Sequence, residues 1–332
     1  MSDWPDVDLH VITGKGGTGK STVAAALALA LASQGRQVLL CEVEGRQGIA
    51  RMFDVAPLPY EERPLASGHG SDGAAGGEVF ALAIDPESAL LEYLAMYYRL
   101  GRAGKALDKF GVIDFATTIA PGVRDVLLTG KVYEAVNRNR RTKNARHYDA
   151  VVLDAPPTGR IAQFLNVNDE LAGLARMGPI KSQADTVMTL LRSERTAVHL
   201  VTVLEEMPVQ ETSDGIEELR SVGLPVGGVV VNLTRPQVLT EEQRATALAG
   251  SLPRDTVRSD LERAALPSDD ALVDTLLAEA RDHAERRRLE DTQRTLVAGI
   301  GVPTYELPRL ADGVDLGGLY DLAARLREQG MA

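Results

Sequence analysis

The chain has 332 residues, of which 44% are hydrophobic and 25% charged, a composition typical of a globular protein with a sizeable core. A formal net charge of −11 and an aromatic content of 4% argue against a nucleic-acid-binding surface. The single cysteine, Cys41, excludes an intrachain disulfide and a cysteine-rich zinc site, and no signal peptide or apolar run of membrane-spanning length occurs. We therefore expect a soluble, cytoplasmic protein without structural zinc or a nucleic-acid partner.

The first predicted elements are a short strand at 9–12 and an Ala/Leu-rich helix from Ser21 that ends near Gly35. The loop between them reads GKGGTGKST and consists of Gly14, Lys15, Gly16, Gly17, Thr18, Gly19, Lys20, Ser21 and Thr22. Its glycines follow the P-loop pattern, in which backbone N–H groups at a helix N-terminus surround nucleotide phosphates. Lys20 supplies positive charge to the β- and γ-phosphates, and the Ser21 hydroxyl can ligate Mg²⁺. The sequence predicts a site for ATP or ADP with Mg²⁺.

Further along the chain, strands and helices alternate without an internal repeat. Residues 57–77 are rich in Pro and Gly and are predicted to be a long surface loop. Asp85 is predicted to cap a helix that begins at Pro86 and opens a helical stretch reaching about residue 144. The other predicted strands are 37–43, 79–84, 150–154, 199–204, 226–232 and 302–307, and the other helices are 171–191, 213–222, 269–297 and 315–329.

This alternation predicts an α/β fold, a P-loop NTPase with a doubly wound, mostly parallel sheet. We expect one ATPase domain over 1–332, with helical subdomain insertions at approximately 86–147 and 166–194. Asp154 ends a buried strand, where open α/β sheets bind ligands, and is therefore a candidate metal-side carboxylate.

Two motifs carry a resemblance to a known family. The loop GKGGTGKS resembles the deviant P-loop of Min/Par positioning ATPases, the nitrogenase iron protein and arsenite-pump ATPases. The segment LDAPPTGRIAQFL is similar to switch II of the arsenite-pump ATPase family, which also contains the guided-entry ATPases for tail-anchored proteins. In that family the lysine equivalent to Lys15 crosses a dimer interface, and the segment equivalent to Pro157, Thr158 and Gly159 senses the γ-phosphate. Arg160 stands where the family usually has histidine.

The resemblance implies further roles. Glu44 falls where the family places its water-activating aspartate, and the alternative is an exposed loop carboxylate. Asn232 matches the adenine-recognising asparagine, and the alternative is an amide that caps a strand end. Pro308 falls in the family's adenine-side loop. The candidate catalytic residues are thus Lys15, Lys20, Glu44 and Asp154, with Ser21 and Asp154 at the metal.

The function that this resemblance implies is Mg²⁺-dependent ATP hydrolysis in a nucleotide-gated dimer that acts on a protein or membrane-protein client. The dimer would be a homodimer or a heterodimer with a paralogous subunit. One cysteine makes arsenite an unsuitable ligand. The alternatives are a non-catalytic or very slow nucleotide-binding assembly partner and a Min/Par-like positioning ATPase.

Overall fold

The structure is a computed structural model that describes residues 2–45, 47–70, 75–98, 121–138, 146–166, 179–311 and 313–332. Its strands are β1 (Leu9–Gly14), β2 (Val38–Glu42), β3 (Arg63–His69), β4 (Ala75–Ala83), β5 (Ala150–Asp154), β6 (Thr196–Thr202), β7 (Val226–Thr234) and β8 (Thr304–Pro308). They form one eight-stranded sheet in the order β3-β4-β2-β5-β1-β6-β7-β8. All neighbouring pairs are parallel except β3 and β4, which are antiparallel. The predicted α/β class and mostly parallel sheet are confirmed.

Helices cover both faces of this sheet. The first five in chain order are α1 (Lys20–Ala32), α2 (Gly48–Met52), α3 (Pro86–Tyr98), α4 (Pro121–Asn137) and α5 (Thr158–Leu165). They are followed by α6 (Pro179–Leu191), α7 (Glu206–Ser221), α8 (Glu241–Leu248), α9 (Arg254–Arg263), α10 (Asp270–Gly299) and α11 (Leu316–Glu328). One hydrophobic cluster joins the sheet to α1, α2 and α11, and the other joins the opposite face to α3–α7. None of the helices in the described ranges has both the length and the apolar composition needed to cross a membrane.

The predicted loop at 57–77 is wrong, because this stretch contains β3 and the start of β4. Its glycines permit close backbone packing. A Cβ at Gly68 would lie 2.3 Å from the carbonyl carbon of Ala32 at the end of α1, and one at Gly76 would lie 2.3 Å from the Gly68 oxygen. Glycine-rich composition here therefore marks an edge strand pressed against a helix end.

Other predicted helix boundaries differ less from those in the structure. Asp85 caps α3 as predicted, since its Oδ1 accepts from the Ser88 N–H at 2.8 Å. Helix α7 begins at Glu206, earlier than the predicted residue 213, because Pro208 is compatible with a first helical turn. The predicted helical segments at 99–120, 139–145 and 171–178 lie outside the described residues. The remainder of the segment predicted at 171–191 is helix α6, whose Val187, Met188, Leu190 and Leu191 are buried in the protein's own core.

The two ends of the described chain meet beside β8. The Asp3 N–H donates to the Gly330 carbonyl at 2.8 Å, and Met331 and Ala332 are buried. Trp4 donates from Nε1 to the Tyr305 hydroxyl at 3.0 Å, and that hydroxyl donates to Asp3 Oδ2 at 2.6 Å. These contacts attach the N-terminal segment to the last strand and the last helix.

Candidate functional site

The predicted phosphate loop joins the C-terminal end of β1 to the first turn of α1. Gly14, Gly17 and Gly19 have φ values of 153°, 91° and 89°, which L side chains rarely adopt. A Cβ at Gly14 would lie 2.2 Å from the Val201 carbonyl oxygen on the neighbouring strand β6. Thr18 closes the loop by donating from Oγ1 to the Lys15 carbonyl at 2.9 Å. Gly14 and Gly19 are therefore required by both backbone conformation and space, and Gly17 by backbone conformation alone.

A hydroxyl and a carboxylate meet at the first turn of α1. Ser21 donates from Oγ to Asp154 Oδ2 at 2.5 Å, which joins α1 to the end of β5. Lys20 is buried beside this pair, with 8% of its surface exposed. Burial raises the pKa of Asp154 to about 6, and the Glu42 and Glu44 carboxylates add to this rise, whereas Ser21 and Lys20 oppose it. The site thus holds a buried carboxylate whose proton affinity is raised, with a hydroxyl and a lysine beside it.

The segment after β5 is bonded to β1. Thr13 donates from Oγ1 to the Pro156 carbonyl at 2.7 Å, and the Ala155 N–H donates to the Ile12 carbonyl at 3.0 Å. Pro157 precedes α5, which begins at Thr158. The Thr158 hydroxyl is buried and has no hydrogen-bond partner in the part of the chain that is described. A Cβ at Gly159 would meet nothing within 4 Å, so this position faces open space.

Asn232 and Pro308 lie on the neighbouring strands β7 and β8. Asn232 is buried, and its Nδ2 donates to the Thr18 carbonyl in the phosphate loop at 2.9 Å. Pro308 pairs in register with Thr234, and the Arg309 N–H donates to the Thr234 carbonyl at 2.9 Å. The structure therefore brings Asn232 into contact with the phosphate loop and places Pro308 on the neighbouring strand, opposite Thr234.

A cavity of about 310 Å³ opens beside Asn232. Its wall includes Leu233, a half-exposed residue whose φ of 59° is unusual for a branched side chain, and Arg309. The cavity is also lined by Arg235 and Glu290, whose side chains pair at 3.3 Å. Arg287 on α10 donates to Glu290 at 2.9 Å, and this pair is largely buried. A pocket with apolar and charged walls next to a phosphate loop is suited to a nucleoside.

Lys15 contacts a residue within its own chain. Its ammonium group forms an ion pair with Glu211 on α7, and the two side chains are 33% and 37% exposed. Exposed ion pairs of this kind contribute little to stability, typically below about 1 kcal/mol.

Glu44 follows β2 and is half-buried. The chain after it is held by Gln47, whose side chain donates to the Leu58 carbonyl at 3.1 Å and accepts from the Leu58 N–H at 2.7 Å.

Taken together, the predicted site residues lie along one edge of the sheet, at the C-terminal ends of its parallel strands.

Several site residues were absent from the sequence prediction. Glu42, the last residue of β2, is buried with 3% exposure close to Asp154, although the sequence showed only an acidic end to an apolar run. Glu211 and Glu290 lie far from the motifs in sequence, and no local pattern distinguishes them from ordinary surface charges. Arg235 and Arg309 lie close to Asn232 and Pro308 in sequence, but residue type alone did not assign them a role.

Comparison with known proteins is consistent with this geometry. Residues 8–193 match the family model described as anion-transporting ATPase. The chain is 52% identical to the ATPase BagA of Mycobacterium tuberculosis, with 99% of this chain and 96% of that protein covered. It is 26% identical to an arsenical pump-driving ATPase of Acidiphilium multivorum over 94% of this chain, which corresponds to 53% of that longer protein. An arsenical pump-driving ATPase of Escherichia coli is 25% identical over 72% of this chain and 41% of its own length. The chain therefore belongs to the anion-transporting ATPase family, within the arsenite-pump ATPase group.

Proposed function

We propose that the protein binds ATP together with Mg²⁺ and hydrolyses it to ADP and phosphate. The observation that supports this best is the meeting of Ser21 and Asp154 at the first turn of α1, next to the buried Lys20. Hydroxyl and carboxylate oxygens are ligands that Mg²⁺ prefers, and a cation bound here would stabilise the ionised form of the buried Asp154 carboxylate. Ser21 and Asp154 would therefore hold Mg²⁺, which neutralises phosphate charge when bound.

The other residues of the site would each have a separate role in nucleotide binding or hydrolysis. The N–H groups of the glycine loop bind the phosphate oxygens, and Lys20 offsets their charge. Glu44 orients the attacking water, and the unpartnered Thr158 hydroxyl at the start of α5 is available to the γ-phosphate. The cavity beside Asn232 and Arg309 would take the base and ribose.

The rate at which phosphate is released from ATP measures the proposed hydrolysis directly. We expect Lys20→Ala and Asp154→Asn each to lower the turnover rate by at least about 100-fold, because each removes charge stabilisation of the transition state. Both variants should retain the parent's melting transition. Hydrolysis at the parental rate in both variants would refute the proposal. Tight ATP binding by the parent without phosphate release would instead favour the non-catalytic assembly partner.

We further propose that two copies, or this chain and a paralogous subunit, associate with their phosphate loops facing each other. Lys15 supports this, because its ion pair with Glu211 is half-exposed and weak enough to be exchanged for contact with an anion on a second subunit. Light scattering with ATP and Mg²⁺ should show a dimer for the parent and a monomer for Lys15→Ala. A parent that stays monomeric with every nucleotide, also after addition of candidate paralogous subunits, would refute a dimeric switch.

A protein or membrane-protein client is part of the same proposal. We expect it to bind preferentially to one nucleotide state. Glu44→Gln protein held in the ATP state should retain a client that the ADP-bound parent releases, measured by affinity capture from lysate followed by mass spectrometry. Identical protein sets captured in both states would refute nucleotide-gated client binding.

A further inference from the structure

Glu42 has a buried carboxylate oxygen without a hydrogen-bond partner. Its Oε1 accepts from the Gly48 N–H at 3.2 Å, where α2 begins. Its Oε2 is fully buried and contacts no donor among the described residues. Leaving a carboxylate oxygen buried and unpaired is unfavourable, so such a group in a folded protein requires a specific explanation.

The position of Glu42 in the sheet places it at the Ser21–Asp154 pair. In the register of β2 and β5, Glu42 is directly paired with Asp154. In-register residues of parallel strands point to the same face, and here that face is covered by α1, since Leu40 and Val152 two residues earlier pack in the α1 cluster.

Gly48, whose N–H donates to Glu42, also lies close to Ser21. A Cβ built on Gly48 would lie 3.9 Å from Ser21 Oγ, so the start of α2 approaches the first turn of α1 closely. Two carboxylates and one hydroxyl therefore converge around one small volume, with Lys20 as a neighbouring positive charge. Two neighbouring carboxylates repel each other, and this repulsion is relieved when one binds a proton or when further positive charge lies close to them.

We infer that Glu42 is a positioning residue for the divalent cation that accompanies the nucleotide. This inference rests on the proposed function. Mg²⁺ retains several of its waters in proteins and is typically bound through only one or two carboxylates. Ser21 and Asp154 would supply the direct ligands, and Oε2 of Glu42 would accept a hydrogen bond from a water that the cation retains. Groups that orient a metal's ligands in this way commonly change metal affinity by about 10- to 100-fold when they are replaced.

The test is the Mg²⁺ dependence of ADP binding, measured by calorimetry in EDTA and across a Mg²⁺ series. Glu42→Gln is the informative variant, because glutamine retains an oxygen for the Gly48 N–H but offers an NH₂ group, which cannot accept, in place of Oε2. Glu78→Gln on the exposed face of β4 is the matched control for loss of one negative charge. Asp154→Asn shows the effect of removing a direct ligand.

We expect Glu42→Gln to bind ADP in EDTA at least as tightly as the parent and to need about 10- to 100-fold more Mg²⁺ for half of the Mg²⁺-dependent gain in affinity. Glu78→Gln should match the parent. A parental Mg²⁺ midpoint in Glu42→Gln would overturn the inference, and so would a Glu42→Gln protein that no longer melts cooperatively, because the carboxylate would then serve the fold. A parent that does not bind ADP at all would overturn the proposed function instead.

Discussion

Asn232 donates a hydrogen bond to the Thr18 carbonyl at 2.9 Å, and so couples the end of β7 to the phosphate loop. Both residues are buried, with 3% and 2% of their surfaces exposed. The side chain expected to contact adenine therefore also fixes the backbone that surrounds the phosphates.

Replacing Asn232 separates these two roles. Asn232→Ala should lower the free energy of unfolding of the nucleotide-free protein by about 1–3 kcal/mol, because the buried Thr18 carbonyl loses its donor. Denaturant unfolding measures this. If Asn232 also reads the base, the preference for ADP over GDP should fall in the variant. An unchanged preference with equally weakened binding of both nucleotides would restrict Asn232 to supporting the loop.

Gly19 and Gly16 form a matched pair within one loop. An alanine Cβ at position 19 would lie 2.3 Å from Asn232 Nδ2, and the φ of 89° is unfavourable for alanine. Gly19→Ala should therefore cost about 1–3 kcal/mol of unfolding free energy. Gly16→Ala meets nothing within 4 Å and should change it by less than about 0.5 kcal/mol. Equal melting temperatures for the two variants would contradict this reading of the loop.

Features that local chemistry determines could be predicted from the sequence. The glycine loop and the strand ending in Asp154 follow from residue type and spacing, and the alternating elements predicted the mostly parallel sheet. Features that depend on contacts between distant segments could not be predicted. The edge strand β3 resembles a loop because Gly68 and Gly76 are required by the end of α1, which propensity does not encode. Glu42 gains its significance only from its register with Asp154, and sequence alone does not determine that register.

A buried histidine pair lies on β1 and β6. The Gly228 N–H donates to His199 Nδ1 at 3.0 Å, so His199 carries its proton on Nε2 and donates to His10 Nδ1 at 3.1 Å. This leaves His10 Nε2 without a partner in the described structure. Burial lowers the pKa of His199 to about 3 and that of His10 well below its usual value, with the His199 and Arg36 charges adding to the latter.

These lowered pKa values predict acid sensitivity. Below about pH 6.5 the unfolded chain binds protons on both histidines, whereas the folded chain does not, so stability falls with decreasing pH by up to about 1.4 kcal/mol per pH unit for each histidine. The His10→Asn variant retains an acceptor for His199. Because one titrating histidine is removed, the slope of stability against pH should fall by up to about 1.4 kcal/mol per pH unit between pH 6 and 5. Unfolding free energies across that range measure it.

The control is Leu9→Val, a buried substitution on the same strand. It should shift the curve of stability against pH by a constant amount. A slope in His10→Asn equal to that of the parent would show that His10 binds a proton in the folded protein.

Removing the Glu211 side chain should change the stability of the fold only slightly but should strengthen association. Because the Lys15–Glu211 pair is half-exposed, Glu211→Ala should change the free energy of unfolding by less than about 1 kcal/mol. If Lys15 contacts a second subunit, releasing it should lower the protein concentration at which an ATP-dependent dimer forms, measured by sedimentation. Weaker association in this variant would place Glu211 among the residues that stabilise the dimer.

The junction of Asp3 with Gly330 has a consequence for the connectivity of the polypeptide. Because the two ends of the described chain are already hydrogen-bonded neighbours, a short peptide could join them without disturbing the sheet. The chain could then be opened at an exposed turn, such as the one at Gly250 between α8 and α9, to give a circular permutant with the same strand order. Such a permutant would carry its new termini in the turn between α8 and α9 and leave the phosphate loop uninterrupted.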